Sequence, residues 1–139
     1  MGFAFPGAIA ASIVHPDRRI LALCGDAGFL MNLQEMETAK RLGSNIVVLV
    51  WEDNAYGLIE WKQQTHFGRH TDLAFSNPDW NQLAKAFGWH GHYVSRSADF
   101  ADTLDKAFEE RGPSLVVIPI DYRENLLLTK KLGELTWTN

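Results

Sequence analysis

The sequence is poor in the features that mark several whole classes of protein. A single cysteine, Cys24, excludes any internal disulfide and with it the small disulfide-stapled scaffolds. Cys24 follows the apolar run Ile20-Leu21-Ala22-Leu23, so it reads as a reduced, buried filler in a cytoplasmic protein, with a reactive thiol as the alternative. Positive charge is not in excess: 13 Lys plus Arg stand against 17 Asp plus Glu, and a net charge of −4 gives no bulk attraction to nucleic acid or anionic membrane. No uninterrupted apolar stretch approaches the ~20 residues of a membrane span. The first sixteen residues are apolar, but no Lys or Arg precedes Arg18 and Pro6 interrupts the run, so a buried helix is the better reading than a signal peptide. Internal repeats, low-complexity tracts and linkers are missing as well. What is there is 139 residues, 46% hydrophobic and 22% charged, enough for one compact domain with a core and too short for a self-contained multidomain enzyme.

Hydrophobic runs and their stops give the order of elements. Pro6 suits a first helical turn, and Ala8 to Val14 continue a helix until His15-Pro16-Asp17 forces a turn. Ile20 to Cys24 reads as a strand buried on both faces, ended by Gly25-Asp26-Ala27-Gly28. Asn32 with Glu35 three positions on has capping-box spacing, which predicts a helix carrying Leu33, Met36 and Leu42 and closing at Gly43. Ile46 to Trp51 is β-branched and uncharged until Glu52-Asp53-Asn54 stop it, and predicts a central strand. A short helix is expected over 56–64 and an irregular loop over 65–76. Asn77-Pro78-Asp79 opens a helix through Phe87, closed by Gly88. A strand over His90 to Val94, a helix from a Ser97 cap to about Glu110, and a last buried strand from Ser114 to Ile120 complete the pattern, before a polar tail from Asp121 with Lys130-Lys131 as a solvated pair. Strands alternating with helices about every 20–30 residues predict an α/β fold, a parallel sheet with helices on both faces.

In such sheets ligands bind outside the carboxyl ends of the strands, which singles out the two acidic turns. Asp26 and Asp53 are 27 positions apart, one strand–helix–strand crossover, so right-handed winding brings both to one sheet edge. Two carboxylates there suit one hard cation. Gly25, Ala27 and Gly28 leave backbone exposed around Asp26, and a following helix aims N–H groups at the same place. A diphosphate bridged by Mg2+ fits this set, whereas Zn2+ would want Cys or His nearby. The competing reading is that Gly-Asp and Asp-Asn are ordinary turn residues. His66 and His70 at helical spacing, and His90 and His92 at strand spacing, are better read as surface or loop histidines than as metal ligands, because no third ligand lies near either pair.

Gly25-Asp26-Ala27-Gly28-Phe29 through Glu52-Asp53-Asn54-Ala55-Tyr56-Gly57 resembles the Gly-Asp-Gly…Asn-Asn motif of thiamine diphosphate (TPP) enzymes. Met1-Gly2-Phe3-Ala4-Phe5-Pro6-Gly7-Ala8-Ile9 resembles the segment that precedes this motif, and Gly112-Pro113-Ser114-Leu115-Val116-Val117-Ile118 its closing strand. The ending Asp121-Tyr122-Arg123-Glu124-Asn125 is similar to acetolactate synthases, especially catabolic-type and related large subunits, so the resemblance covers essentially the whole chain. Carried over by position, it implies Asp26, Asp53 and the backbone carbonyl of Ala55 as Mg2+ ligands. Gly25, Ala27, Gly28, Tyr56 and Gly57 would line the diphosphate, Leu58 would lie close to the thiazolium and substrate, and Met1 would support the bent cofactor. Ala27 stands where the motif has its second glycine, and Asp53 where asparagine is commoner. Alanine is still small, and aspartate keeps an oxygen ligand while adding charge.

The resemblance further implies the diphosphate-binding domain of the TPP fold, spanning residues 1–139 as the C-terminal part of a three-domain enzyme. Its reaction would join two pyruvates into 2-acetolactate with loss of CO2, in branched-chain amino acid or acetoin formation. No residue of this chain is expected to act as the activating glutamate, which such enzymes place in a separate pyrimidine-binding domain of the same or a neighbouring subunit. A cytoplasmic homodimer or homotetramer follows by the same resemblance, while FAD binding is left open. Trp61 precedes Lys62-Gln63-Gln64 where the biosynthetic branch has a Gln-Trp pair, which leans toward the other branch; packing under a loop is the equal alternative. Two other readings stand beside acetolactate synthesis. One is another 2-keto-acid decarboxylase or carboligase, including the diphosphate-binding subunit of a split decarboxylase, and the other is a non-enzymatic module that keeps the fold.

Overall fold

The computed structural model describes residues 1–122 and Lys131. Four parallel strands, β1 (Ile20–Gly25), β2 (Ile46–Glu52), β3 (His90–Tyr93) and β4 (Ser114–Pro119), form one sheet in the order β1-β2-β4-β3. β2 is central, as its β-branched, uncharged sequence predicts. Alternation along it divides the core. Ile46, Val48 and Val50 join Phe5, Phe29, Met36, Trp80, Trp89 and Leu115 in one apolar cluster, while Val47 and Leu49 join Val94, Ala107 and Val116 on the opposite face.

Helix α1 (Ala4–Val14) buries Phe5, Ala8, Ile9 and Ser12, the i, i+3, i+4, i+7 stripe of a helix with one face on a sheet. With α3 (Glu35–Arg41) and α5 (Trp80–Ala86) it covers the first face; α6 (Phe100–Glu109) covers the second over β4 and β3. Leu21 and Leu23 of β1 pair in register with Val47 and Leu49 beyond the reach of α6, and are 40% and 53% exposed. Gly91 lets α5 approach β3, since a Cβ there would stand 2.8 Å from that of Ala84.

Local signals differ from the outcome in four places. A five-residue helix, α2 (Asp26–Leu30), occupies what reads as a glycine turn; it is too short to show a period. Asn32 does not cap α3: its Nδ2 donates to the Gly2 carbonyl, a contact 30 residues away that no local pattern announces. Helix α4 (Gly57–Phe67) takes residues 65–67 from the expected loop and stops at Gly68, whose φ of 65° is the left-handed C-terminal conformation glycine favours. Ser97 opens a 3-10 turn without a side-chain cap, and α6 starts at Phe100. Asp79 does cap α5, its Oδ1 accepting from Gln82 N at 3.0 Å. Lys130 lies outside the described residues, and Lys131 is exposed. No helix among the described residues is long and apolar enough to cross a membrane.

The amino-terminal end of the sheet is closed by a polar cluster. Arg19 donates to the carbonyls of Gly112 and Ala107 and to Ser114 Oγ, joining the starts of β1 and β4. Glu110 takes His92 Nε2 at 2.8 Å and lies 3.8 Å from His90 Nδ1, so both histidines are spent on one carboxylate. Burial acts to raise the pKa of Glu110, but the hydrogen bond and charge of His92, then His90 and Ser114, outweigh it and the net shift is downward. The ionised carboxylate therefore adds stability above its ordinary 4.5, and that increment is lost as pH falls through the lower folded value. Glu110→Gln is expected to remove this part of the acid-side loss. Denaturant unfolding of both proteins across that range checks it, and parallel pH dependences would contradict the assignment.

Candidate functional site

Because β1 and β2 are neighbouring, parallel and in register from Ile20↔Ile46 to Gly25↔Trp51, the residues that follow them emerge together at one edge. Asp26 is the first residue after β1 and Asp53 the first after β2. Asp26 is 1% exposed, and both of its carboxylate oxygens accept hydrogen bonds. Its Oδ2 accepts from Asp53 N at 3.1 Å, Asn54 N at 2.8 Å and Asn77 Nδ2 at 2.7 Å, and its Oδ1 accepts from Ala27 N at 2.7 Å. Burial, then the nearby charge of Asp26, raises the pKa of Asp53; the backbone hydrogen bond from Ala55 opposes them, and a side-chain hydrogen bond with Asp26 adds a smaller rise. In the cation-free chain the neutral form of Asp53 thus adds stability below the ordinary 3.8, and this is lost as pH rises through the higher folded value. A divalent cation between the carboxylates reverses that balance.

The turn after β2 is held from outside. Asn54 has a φ of 57°, a left-handed conformation that asparagine tolerates better than most residues. Segment 73–75 returns antiparallel to it, with Phe75 N donating to Asn54 O and Tyr56 N to Leu73 O around an Ala55↔Ala74 bridge. Asp53 Oδ1 accepts from Ala55 N at 3.3 Å. Helix α4 begins at once with Gly57, where a Cβ would run into Asp53 Oδ2.

A cleft of about 940 Å³ opens over this edge, and it is lined by all ten residues singled out from the sequence: Met1, Gly25, Asp26, Ala27, Gly28, Asp53, Ala55, Tyr56, Gly57 and Leu58. A Cβ on Gly25 would meet nothing within 4 Å, so the strand end stands bare beneath the cleft. Further walls have no cofactor role assigned from the sequence. Leu23, Ile59, Gln64 and Tyr122 line the cleft, as do His70, 3.5 Å from Glu60, and Trp61, whose Nε1 is buried without a partner among the described residues. Tyr122 is kept a neutral phenol by burial and by the charges of Asp53 and Asp26, which raise its pKa. Cys24 also borders the cleft, but burial pushes its thiol up to about 11, which suits a filler rather than a nucleophile. His66 and His70 do not share a helical face, because α4 ends between them at Phe67.

Behind the cleft lies a buried polar group that sequence reasoning passed over. Glu52, at the end of β2 and 8% exposed, accepts Trp80 Nε1 at 2.6 Å and Tyr93 OH at 2.9 Å. Asn77 links Glu52 to Asp26. The one available signal was a carboxylate ending an otherwise apolar strand. Its partners come from segments 25 to 41 positions away and leave no local pattern.

The donor set is two carboxylates and a main-chain carbonyl, all hard oxygens, completed by no third His, Cys, Asp or Glu among the described residues. This is the chemistry of Mg2+, which takes one or two carboxylates and fills its remaining positions with ligand phosphate oxygens and water. The residues therefore fit a Mg-diphosphate group.

Residues 1–118 match the family profile described as thiamine pyrophosphate enzyme, C-terminal TPP binding domain. The chain is 39% identical over 132 residues to the catabolic acetolactate synthase of Raoultella terrigena, covering 95% of this chain and 24% of that protein. It is 36% identical over 143 residues to the acetolactate synthase of Bacillus subtilis, covering 99% and 25%. The chain thus spans about a quarter of the length of these relatives. Its fold matches the thiamine diphosphate-dependent 4-hydroxybenzoylformate decarboxylase of Rhodococcus jostii RHA1 with a TM-score of 0.81 at 23% identity, over 89% of this chain and 24% of that one.

Proposed function

The chain belongs to the thiamine pyrophosphate enzymes, as a C-terminal TPP-binding domain of that family, and from this premise we propose that it supplies the diphosphate- and Mg2+-holding half of an acetolactate synthase-like active site. The observation that carries the reading is the Asp26–Asp53 pair at adjacent strand ends, under a cleft lined by every residue the motif nominates. In this reading Asp26, Asp53 and the Ala55 carbonyl hold the cation, while Gly25, Ala27, Gly28, Tyr56 and Gly57 line the diphosphate. Leu58 would lie on the side of the thiazolium and substrate, and Met1 would support the cofactor. Two carboxylates alone would repel a diphosphate, so binding is cation-dependent by simple electrostatics. Thiamine diphosphate, when bound, supplies the electron sink that lets a 2-keto acid lose CO2 and its remaining two-carbon unit join an acceptor.

The chain's own part is to bind, orient and exclude water; exposed Leu58 and Ile59 and half-exposed Leu23 give the cleft an apolar wall for that purpose. The aminopyrimidine-activating glutamate belongs to a pyrimidine-binding domain outside these residues, in the same or a partner subunit of a cytoplasmic homodimer or homotetramer. Pyruvate serves as donor and acceptor, giving 2-acetolactate and CO2. Carboligation is favoured over decarboxylation alone because the two acetolactate synthases align with nearly the whole chain at 39% and 36% identity. The chain joined to a pyrimidine-binding domain is expected to convert pyruvate to acetolactate, and the chain alone to give no turnover. Acetaldehyde as the sole product would move the protein to the decarboxylases; acetolactate from the chain alone would overturn the division of the site.

A further inference from the structure

Asn77 does not line the cleft, yet its side chain reaches the buried face of the site. Three oxygens surround its Nδ2: Asp26 Oδ2 at 2.7 Å, Asn54 Oδ1 at 3.0 Å and Glu52 Oε1 at 3.4 Å. Only the nitrogen of the amide carries hydrogens, and reversing it would set an oxygen against two carboxylates, so the orientation follows from the surroundings. The two hydrogens are shared among these three oxygens, with the contact to Glu52 the longest. Asn77 Oδ1 is left buried without a partner among the described residues, a cost that the fold accepts to keep the amide turned this way.

The consequence falls on Asp26 and Asn54. With three donors on Oδ2 and one on Oδ1, Asp26 keeps its spare lone-pair capacity on Oδ1. Asn54 separates Asp53 from Ala55, and its left-handed backbone is fixed from three sides: its N–H on Asp26, its carbonyl on Phe75, and its side-chain oxygen on Asn77. One side chain thereby ties Asp26 to the turn that carries the other two nominated cation ligands, Asp53 and the Ala55 carbonyl.

We propose that Asn77 is a positioning residue that holds Asp26, Asp53 and the Ala55 carbonyl at the separation Mg2+ requires; this rests on the reading of the cleft given above. Mg2+ demands near-ideal octahedral geometry at about 2.0–2.1 Å, whereas Ca2+ accepts looser arrangements at about 2.3–2.6 Å. Asn77 therefore acts on the choice between the two ions as well as on affinity.

The test is a titration of the chain with Mg2+ or Ca2+ at fixed thiamine diphosphate, followed by amide chemical shifts at Gly25, Ala55 and Gly57, which report weak binding without turnover. Asn77→Ala is expected to weaken Mg2+-dependent binding by about 10–100-fold, the usual effect of losing an outer-shell partner. Ca2+-dependent binding falls much less, so the Mg2+-to-Ca2+ affinity ratio drops. Shifts are read only on folded cross-peaks, so an unfolded fraction does not enter the ratio, and Asn77→Ser, which keeps a polar group but cannot span the gap, replaces the alanine variant should that one fail to fold. Equal losses for both ions, or an unchanged ratio, overturn the positioning role while leaving the cleft reading intact. A wild-type chain with no cation-dependent shifts overturns both.

Discussion

Asp26→Asn abolishes Mg2+-dependent binding of thiamine diphosphate in this account, with a loss of at least about 100-fold, because a direct ligand change costs no less than an outer-shell one. The substitution is nearly isosteric, so packing around a residue 1% exposed is unchanged. What changes is charge and hydrogen. Four donors converge on the carboxylate, from Ala27, Asp53, Asn54 and Asn77, and an amide must turn its own NH2 toward at least one of them. One buried clash of donors costs on the order of 1–3 kcal/mol of stability. The cation meanwhile loses half of its carboxylate charge. Asp26→Ala is expected to lose the same binding with a larger drop in stability, since all four donors then lack an acceptor. Isothermal titration beside thermal unfolding separates the two effects, and unchanged cofactor affinity in either variant would sink the metal assignment.

Gly57→Ala is expected to produce the opposite pairing of effects: weaker cation-dependent binding, by tenfold or more on the order of an outer-shell loss, with little or no loss of stability. Gly57 is the first residue of α4, where alanine is the better helix former by roughly 1 kcal/mol. The added Cβ, however, runs into Asp53 Oδ2 and comes within 3.7 Å of the Tyr122 ring. Asp53 is the more easily moved, since a rotation of its side chain relieves the contact. The expected signature is a helix at least as stable as before beside a displaced carboxylate. Retention of wild-type cation affinity would show that Asp53 does not bind in the orientation described.

The parts of this account that were legible in the sequence are those written locally. Ile46-Val-Val-Leu-Val-Trp51 could hardly be anything but a central parallel strand, and an acidic residue directly after each of two apolar runs points to one sheet edge, although β1 proves buried on one face only. Gly43 and Gly88 closed their helices with φ of 60° and 70°, as C-terminal glycines do. What stayed illegible depends on partners far apart in sequence. Asn32 has the spacing of a cap but was claimed by Gly2, and α2 is shorter than two helical turns. Glu52, Trp80, Tyr93 and Asn77 form a connected group only because β2, β3 and the loop before α5 meet behind Asp26. No spacing within one segment encodes that meeting; a charged residue in a buried strand says only that some partner must exist.

The measurement that bears most directly on the central claim is an amide chemical-shift titration of the chain with thiamine diphosphate, run with and without Mg2+. The expected result is a set of shifts that needs both ligands and is confined to Gly25 through Gly28 and Asp53 through Leu58, at the carboxyl ends of β1 and β2. Shifts that are independent of Mg2+, or that centre on the His90–His92–Glu110 cluster at the other end of the sheet, would contradict it.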